Sequence, residues 1–410
     1  MTMPGKKRVG ILTGGGDAPG LNAVIYGALL RAYESGNMEL VGIKKGWKLF
    51  DMQKEKMTPD VINKYVVSLD IADLDDLQLK GGTILYSTRT NPFKNVLKVK
   101  EEAEREKMRE KIGKDLAEKM KLLNLDALIA VGGDDTLGVS AAMFKYGSAK
   151  VVGCPKTIDN DLAGTDFTFG FFSGAQLASN TLENLTTTAK SHQRIFVVEI
   201  MGRDAGWLTL YSGLSAGSDV ILLPETPFDM EKDVVDLLKE RVKAGYDYHI
   251  IACSEGAYPT QKSIETHFKT ITKETIEKLP KDAFGNPNLA SLNIASVLEK
   301  ELNKRDDLKK FFEQYDCEYE VRSVVLGHTM RAGQPNVFDR VLGLRFGWHA
   351  MGYVIEEKFG KMTSLQGSEI VPVDLIKGST KKLINPTSDL VTIKNAMCHV
   401  KHKAKQKVSL

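Results

Sequence analysis

What this sequence has little of narrows its class before any motif is read. Only four cysteines occur, Cys154, Cys253, Cys317 and Cys398, and none stands at metal-ligand spacing from another. That excludes a cysteine zinc site and a disulfide scaffold, and it points to reduced thiols in a cytoplasmic protein. No apolar run approaches the roughly 20 residues that span a bilayer, so no membrane partner is expected. The opening "MTMPGKKRVGIL" offers no apolar stretch ahead of its first strand pattern, and no signal peptide is expected. Charge of one sign is not in excess either. The formal net charge is +3, too small a surplus to point to nucleic acid. The basic tail "KHKAKQKVSL" is short and reads as a solvated end.

What is present is an alternation of short apolar runs with helical patterns in a chain of 410 residues. The runs are "RVGIL" (8–12), "LVGI" (40–43), "TILYS" (83–87), "ALIAV" (127–131), "KVVGC" (150–154), "IFVVEIM" (195–201), "DVILLP" (219–224), "HIIAC" (249–253) and "RSVVLG" (322–327). Continuous apolar strands separated by helices predict parallel sheets buried on both faces, hence an α/β protein. Nine strands are too many for one simple sheet, and the length favours two lobes. The segment 98–123 is dense in charge, with Met108, Ile112, Leu116, Met120 and Leu123 at helical spacing. It predicts a long surface helix that packs one narrow face.

Four stretches carry chemistry. "GILTGGGDAPGLNA" (10–23) reads as strand, glycine loop and helix. Its Gly14, Gly15 and Gly16 would let backbone N–H groups approach an anion, and the helix start adds its dipole. The bland alternative is a tight turn with nothing bound. No Gly-Lys-Ser/Thr follows, and Asp17-Ala-Pro breaks the dinucleotide spacing. "AVGGDDT" (130–136) ends a strand on two glycines and two carboxylates. Asp134 there can hold Mg²⁺ against phosphate oxygens or cap the helix. Asp135 has no role on these grounds alone.

The third stretch, "GCPKTIDND" (153–161), sets Lys156, Thr157, Asp159 and Asp161 in a loop past a strand. A carboxylate there can take a proton from an attacking hydroxyl and a lysine can neutralise a transferring group; an Asx-turn is the plain alternative. The fourth is a repeated setting. Arg194 and Arg203 flank one strand, and Arg322, His328 and Arg331 flank another. Arginines at strand ends suit bidentate phosphate recognition. Glu255 ends a further strand, where it could accept from sugar hydroxyls. Together these parts read as phosphoryl transfer by positioning and charge neutralisation.

"GGGDAPGLNA", "GGTILYSTR", "GGDDT", "PKTIDND", "SHQRIFVVEIMGR" and "LGHTMR" resemble the phosphofructokinase family, in order, from residue 8 to about residue 360. The resemblance is closer to the pyrophosphate-dependent branch. ATP-dependent members usually carry Gly-Gly-Asp-Gly and Pro-Gly-Thr-Ile-Asp-Asn-Asp, and this chain departs at Asp135 and Lys156. It implies two Rossmann-like α/β sandwich lobes with mostly parallel sheets: residues 1–155 for pyrophosphate and Mg²⁺, 156–360 for fructose 6-phosphate, and 361–410 returning to the core before the basic tail. It implies Asp159 as general base, with Thr157 and Ile158 lining the sugar site. Met201, Gly202, Arg203 and Glu255 would hold the sugar. Arg194, Tyr319, Arg322, His328 and Arg331 would surround the 6-phosphate, with Arg194 and Arg322 reaching across a subunit interface of a homodimer or homotetramer. Gly15, Arg89 and Lys156 would contact pyrophosphate and Asp134 would organise Mg²⁺. Asp135 would occupy the space of a nucleotide α-phosphate and repel its charge. The rival readings are an ATP-dependent or dual-donor enzyme and, from another class, a catalytically silent sugar-phosphate-binding subunit. The latter would be expected to lose residues that this chain keeps.

Overall fold

The computed structural model describes residues 5–73, 76–279 and 289–406, and they fall into two compact units. Unit 1 holds residues up to Ser173 together with Arg331–Lys382; unit 2 holds Gly174–Met330 and the residues from Leu383 onward. The sequence placed the divisions at 155/156 and 360/361. The difference has two causes, the loop after one strand and a helix that returns, and both are described below.

Unit 1 is built on a seven-stranded sheet in the order β11-β10-β5-β4-β1-β2-β3. Its strands are β1 (Lys7–Thr13), β2 (Met38–Ile43), β3 (Val66–Ser68), β4 (Ala127–Gly132), β5 (Val151–Pro155), β10 (Lys361–Gln366) and β11 (Glu369–Asp374). The five central strands are parallel and the two edges antiparallel. Successive residues point to opposite faces, so Ile11 and Ile129 enter one core while Leu12 and Leu128 enter the other. Helices α1 (Leu21–Ser35) and α6 (Val337–Ile355) supply residues to the first core; α2 (Glu102–Leu122) and α3 (Asp134–Gly147) supply the second. The charged segment is therefore the expected helix, with Leu116, Met120 and Leu123 buried. Along its exposed face Lys114 joins Glu110 at 2.5 Å and Arg105 joins Glu102 at 3.1 Å.

Helix α6 returns to unit 1 because it crosses α1 at backbone contact. A Cβ on Gly27 would lie 2.1 Å from the Leu344 carbonyl oxygen, and one on Gly347 would lie 1.9 Å from that of Val24. At the start of α6, the buried Asp339 carboxylate accepts the Ser173 N–H and hydroxyl, each at 2.6 Å. It thereby caps α4 (Phe171–His192), and burial pushes its carboxyl up to about 6 against those hydrogen bonds. That bond keeps residues 156–173 with the first sheet.

Unit 2 is built on four parallel strands in the order β7-β8-β6-β9: β6 (Ile195–Ile200), β7 (Val220–Leu222), β8 (His249–Ser254) and β9 (Val321–Val325). Helix α5 (Ile294–Asn303) contributes Ile294, Ala295, Leu298 and Leu302 to its core. The α/β fold with mostly parallel sheets is as the sequence implied, and eight of the nine expected strands form. "TILYS" does not. Tyr86 is left-handed (φ 57°), and the Ile84 N–H goes to Asn22 Oδ1 at 2.9 Å, not to a neighbouring strand. Three strands went unread: the short β3 and the hairpin β10–β11, which turns on Gly367-Ser368. No helix among the described residues is long and apolar enough to cross a membrane.

The crossing of α1 and α6 generates a stability prediction. Gly347→Ala favours the helix by about 1 kcal/mol in propensity. The added methyl must displace backbone, however, and overpacking costs about 1–3 kcal/mol or more. Thermal unfolding should show a net loss of stability. A melting temperature equal to or above wild type would mean that the two helices do not pass this closely.

Candidate functional site

Three neighbouring parallel strands of unit 1 deliver three loops to one edge. In the order β5-β4-β1, Pro155 pairs with Gly132 and Val131 with Thr13. The segments that follow, Lys156–Asp161, Gly133–Asp135 and Gly14–Gly20, therefore leave the sheet side by side at its C-terminal edge, where open α/β sheets bind their ligands.

The glycine loop differs from the expectation in one physical respect. Two of its amides are already used: Gly14 N–H donates to the Val131 carbonyl at 2.9 Å and Gly15 N–H to that of Thr88 at 3.1 Å. Positive charge at the loop comes instead from side chains. Lys156, buried, donates from Nζ to the Gly16 carbonyl, and its Nζ would lie 3.4 Å from a Cβ on Gly15. Arg331 donates to the Asp17 carbonyl at 3.1 Å, and its Nη1 would lie 2.8 Å from a Cβ on Gly16. Gly14 is needed for Thr136, whose Oγ1 would meet a Cβ there at 2.5 Å, and Gly15 for its left-handed backbone at φ 81°. Burial lowers the Lys156 ammonium to about 8, helped by the nearby Arg331 charge and opposed by Asp159, Asp161 and Asp17. At neutral pH it is still mostly a cation, and it is held without a direct carboxylate hydrogen bond.

Asp134 and Asp135 open α3, and Gly133, which precedes them, caps the helix with no side-chain hydrogen bond. The Asp134 carboxylate reaches only the next amide, that of Asp135, at 2.9 Å. Both carboxylates are exposed, and Asn91 Nδ2 donates to Asp135 Oδ1 at 2.9 Å. Arg89, two residues earlier, is exposed beside Thr88, the partner of Gly15. The Asp161 carboxyl is held above the usual range, first by burial and next by the charge of Asp134. Two carboxylates near enough for one charge to act on the other, beside a glycine loop, suit a hard cation. Among the described residues no cluster of three or more acidic, histidine or cysteine side chains forms a cage. Mg²⁺ binds through one or two carboxylates and takes its other ligands from water and phosphate. Thr157 fixes the loop from within: its Oγ1 accepts the Asp159 N–H at 3.0 Å, and its carbonyl accepts the Thr168 hydroxyl at 2.7 Å. Ile158 is buried and Asp159 half-buried.

Unit 2 has two edges, and it divides the expected sugar-phosphate residues between them. At the C-terminal edge lie Met201, Gly202 and Arg203 after β6, Glu255 after β8 and His328 after β9. Gly202 is at φ 138°, its N–H donates to Glu255 Oε1 at 3.3 Å and its carbonyl accepts from Ser254 Oγ at 2.6 Å. The Met201 N–H meets Met330 Sδ at 3.4 Å. Arg203, half-exposed, is paired with Asp204 at 3.0 Å. Arg194 and Arg322 lie at the opposite edge, with Ile195 opposite Val321. Both are joined to Glu320, whose carboxyl they hold below the usual range, Arg194 more strongly.

Six-residue strands separate these edges by about 20 Å, more than a hexose phosphate can span. One copy of unit 2 therefore does not bring Arg194 and Arg322 to a sugar held at Gly202 and Glu255. Tyr319 is not available to a phosphate at all. Its hydroxyl donates to the Leu302 carbonyl at 2.7 Å, its ring packs on Phe312, and burial raises its phenol far above the usual range. Arg331 stands with the glycine loop of unit 1. Glu320 was missed, although its spacing of two from Arg322 on a strand puts both on one face. Glu199 was missed too. It is buried, caps α5 through the Ala295 N–H at 3.1 Å, and is raised by burial and by the charge of Glu255.

The sequence matches the phosphofructokinase family over residues 8–354. A pyrophosphate–fructose 6-phosphate 1-phosphotransferase of Amycolatopsis methanolica is 41% identical over 386 residues, 94% of this chain and 96% of that protein. An ATP-dependent 6-phosphofructokinase 3 of Streptomyces coelicolor is 37% identical over 368 residues, 90% of this chain and 93% of that protein. The crystal structure of Pichia pastoris phosphofructokinase in the T-state superposes with a TM-score of 0.65 at 25% identity, over 98% of this chain. This chain spans 38% of that longer one. The chain belongs to the phosphofructokinase family.

Proposed function

We propose that this enzyme transfers a phosphoryl group reversibly from pyrophosphate to the 1-hydroxyl of fructose 6-phosphate, giving fructose 1,6-bisphosphate and phosphate, a step of glycolysis. The observation that carries the choice of donor is the pair Asp135 and Lys156. The first is a carboxylate on the first turn of α3, where ATP-dependent members have glycine; the second is a buried ammonium against the glycine loop. A nucleotide would bring its α-phosphate toward the Asp135 charge, whereas pyrophosphate ends short of it. An ATP-dependent or dual-donor activity is the second reading. It is favoured by the Streptomyces coelicolor relative, at 37% identity close to the 41% of the pyrophosphate-named one.

In this reading each side chain has one task. Lys156, with Gly15 and Arg89, receives pyrophosphate, and Lys156 neutralises charge that builds on the transferred group. Asp134 would hold Mg²⁺, with Asp161 facing it; when bound, the ion neutralises the phosphate oxygens. Asp159 accepts the proton of the attacking hydroxyl, held ready by its own amide bond to Thr157. Arg331, against the glycine loop, fits the reacting phosphate. Thr157, Ile158, Met201, Gly202, Arg203 and Glu255 hold the sugar, and His328 meets its phosphate. Arg194 and Arg322, at the far edge of β6 and β9, act on the 6-phosphate of a second copy of the chain. The working enzyme is then a homodimer or homotetramer, and an anion that binds there must displace Glu320. A cytoplasmic setting fits the four free cysteines.

Initial rates with pyrophosphate and with ATP, each with Mg²⁺ and fructose 6-phosphate, test the assignment. Pyrophosphate should be much the faster donor; equal or better turnover with ATP would overturn it. Asp159→Ala should lower kcat by about 10²-fold or more, the usual scale for a lost general base, with a smaller change in KM for fructose 6-phosphate. Near-native kcat would mean that another group takes the proton.

A further inference from the structure

The family match ends at residue 354, yet a segment beyond it is bound to the loop that carries Asp159. Leu162 pairs with Lys381 in an antiparallel bridge. The Ala163 N–H donates to the Thr380 carbonyl at 2.8 Å, and the Lys382 N–H to that of Asp161 at 2.7 Å. The side chain of Lys382 goes further in. An ammonium has three N–H donors, and here each has an acceptor in the same loop. They are Asn160 Oδ1 at 3.2 Å, the Thr165 carbonyl at 3.0 Å and the Asp166 carbonyl at 2.9 Å.

Asn160 is the residue between Asp159 and Asp161, and its backbone is left-handed, at φ 51°. Asparagine tolerates that conformation better than most residues, but it remains costly away from glycine. Its side-chain oxygen is gripped twice, by Lys382 and by the Thr168 N–H at 3.2 Å. The side chain that follows Asp159 in the chain is thus tied to both ends of the loop. Without the Lys382 ammonium, two carbonyls lose their partner and Asn160 keeps one of two donors.

We infer that Lys382 is a positioning residue for the reaction: through Asn160 it fixes the backbone on either side of Asp159, and so the direction from which that carboxylate meets the sugar hydroxyl. It touches neither substrate. Its contribution is geometric, and displacement of a reacting group by about 1 Å costs about 10²-fold in rate. The inference rests on the role proposed for Asp159, so its test has one arm that needs no activity.

In that arm, hydrogen–deuterium exchange of the free protein is compared between wild type and Lys382→Met. Exchange should speed up across residues 157–168 and stay unchanged across β4. In the other arm, kcat with pyrophosphate should fall by about 10-fold or more, while KM for fructose 6-phosphate moves less than about 3-fold. Asn160→Ala should cost little more in the Lys382→Met background than the single change does, as expected of two residues acting through one contact. If Lys382→Met does not accumulate as folded protein, Lys382→Gln, which keeps a donor, is read by the same criteria. A loosened loop with wild-type kcat, or additive effects of the two substitutions, would overturn the inference. Loop loosening in a protein whose wild type does not use pyrophosphate would instead overturn the donor assignment and leave the anchoring in place.

Discussion

The contact on which the rest depends is that of a buried ammonium with a glycine backbone. Lys156 follows the last residue of β5 and donates to the Gly16 carbonyl in the loop after β1, the next strand but one. The contact needs parallel strands in register, so that both loops leave from the same edge. Glycine at 14 lets Thr136 pack against the same loop, since a Cβ there would meet its Oγ1 at 2.5 Å. A cation taken out of water, with its pKa drawn down to about 8, has much to gain from an arriving anion. The loop is therefore better described as a seat for two cationic side chains than as a cradle of free amides. It suits a small, highly charged donor that can be surrounded by side chains on one side and by a carboxylate-held Mg²⁺ on the other.

The second constraint is the length of a strand. Unit 2 places Gly202 and Glu255, proposed to hold the sugar, at one edge of a four-stranded parallel sheet and Arg194 and Arg322 at the other. No rotation of side chains closes about 20 Å. If Arg194 and Arg322 act on the sugar phosphate, they act on that of another copy. Glu320 between them pairs with both and offsets one of their two charges. Assembly and substrate recognition would then be one problem for this surface.

The sequence was most informative where a single physical cause dominates. Buried parallel strands read as unbroken apolar runs, and eight of nine were legible for that reason. The ninth, "TILYS", has strand composition, but Asn22 and Thr83 supply the hydrogen bonds that a ladder would have supplied. The β10–β11 hairpin carried a legible Gly-Ser turn but no unbroken apolar run, because Thr363 and Ser364 interrupt β10 and Pro372 interrupts β11. The division into units was misplaced because nothing local in the sequence announces that Asp339 caps α4, or that α6 lies on α1. The placement of the candidate site residues after strand ends was legible because the apolar runs fix where each strand stops. Which edge a residue occupies relative to a ligand depends on strand length, and that separated Arg194 and Arg322 from Gly202. Tyr319 had the right neighbours in sequence, but its alternating neighbour faces the core, and its hydroxyl follows. Lys382 lay far from every motif, and only the pairing of residues 380–382 with 161–163 reveals it.

The central claim is that Asp135 and Lys156 together select the donor. It is tested most directly by a cycle of wild type, Asp135→Gly, Lys156→Gly and the double variant, each assayed with pyrophosphate and with ATP. The account predicts that Asp135→Gly lowers KM for ATP, that Lys156→Gly damages turnover with pyrophosphate, and that the double variant departs from the sum of the two, as neighbours sharing one ligand do. An unchanged KM for ATP in Asp135→Gly would contradict it.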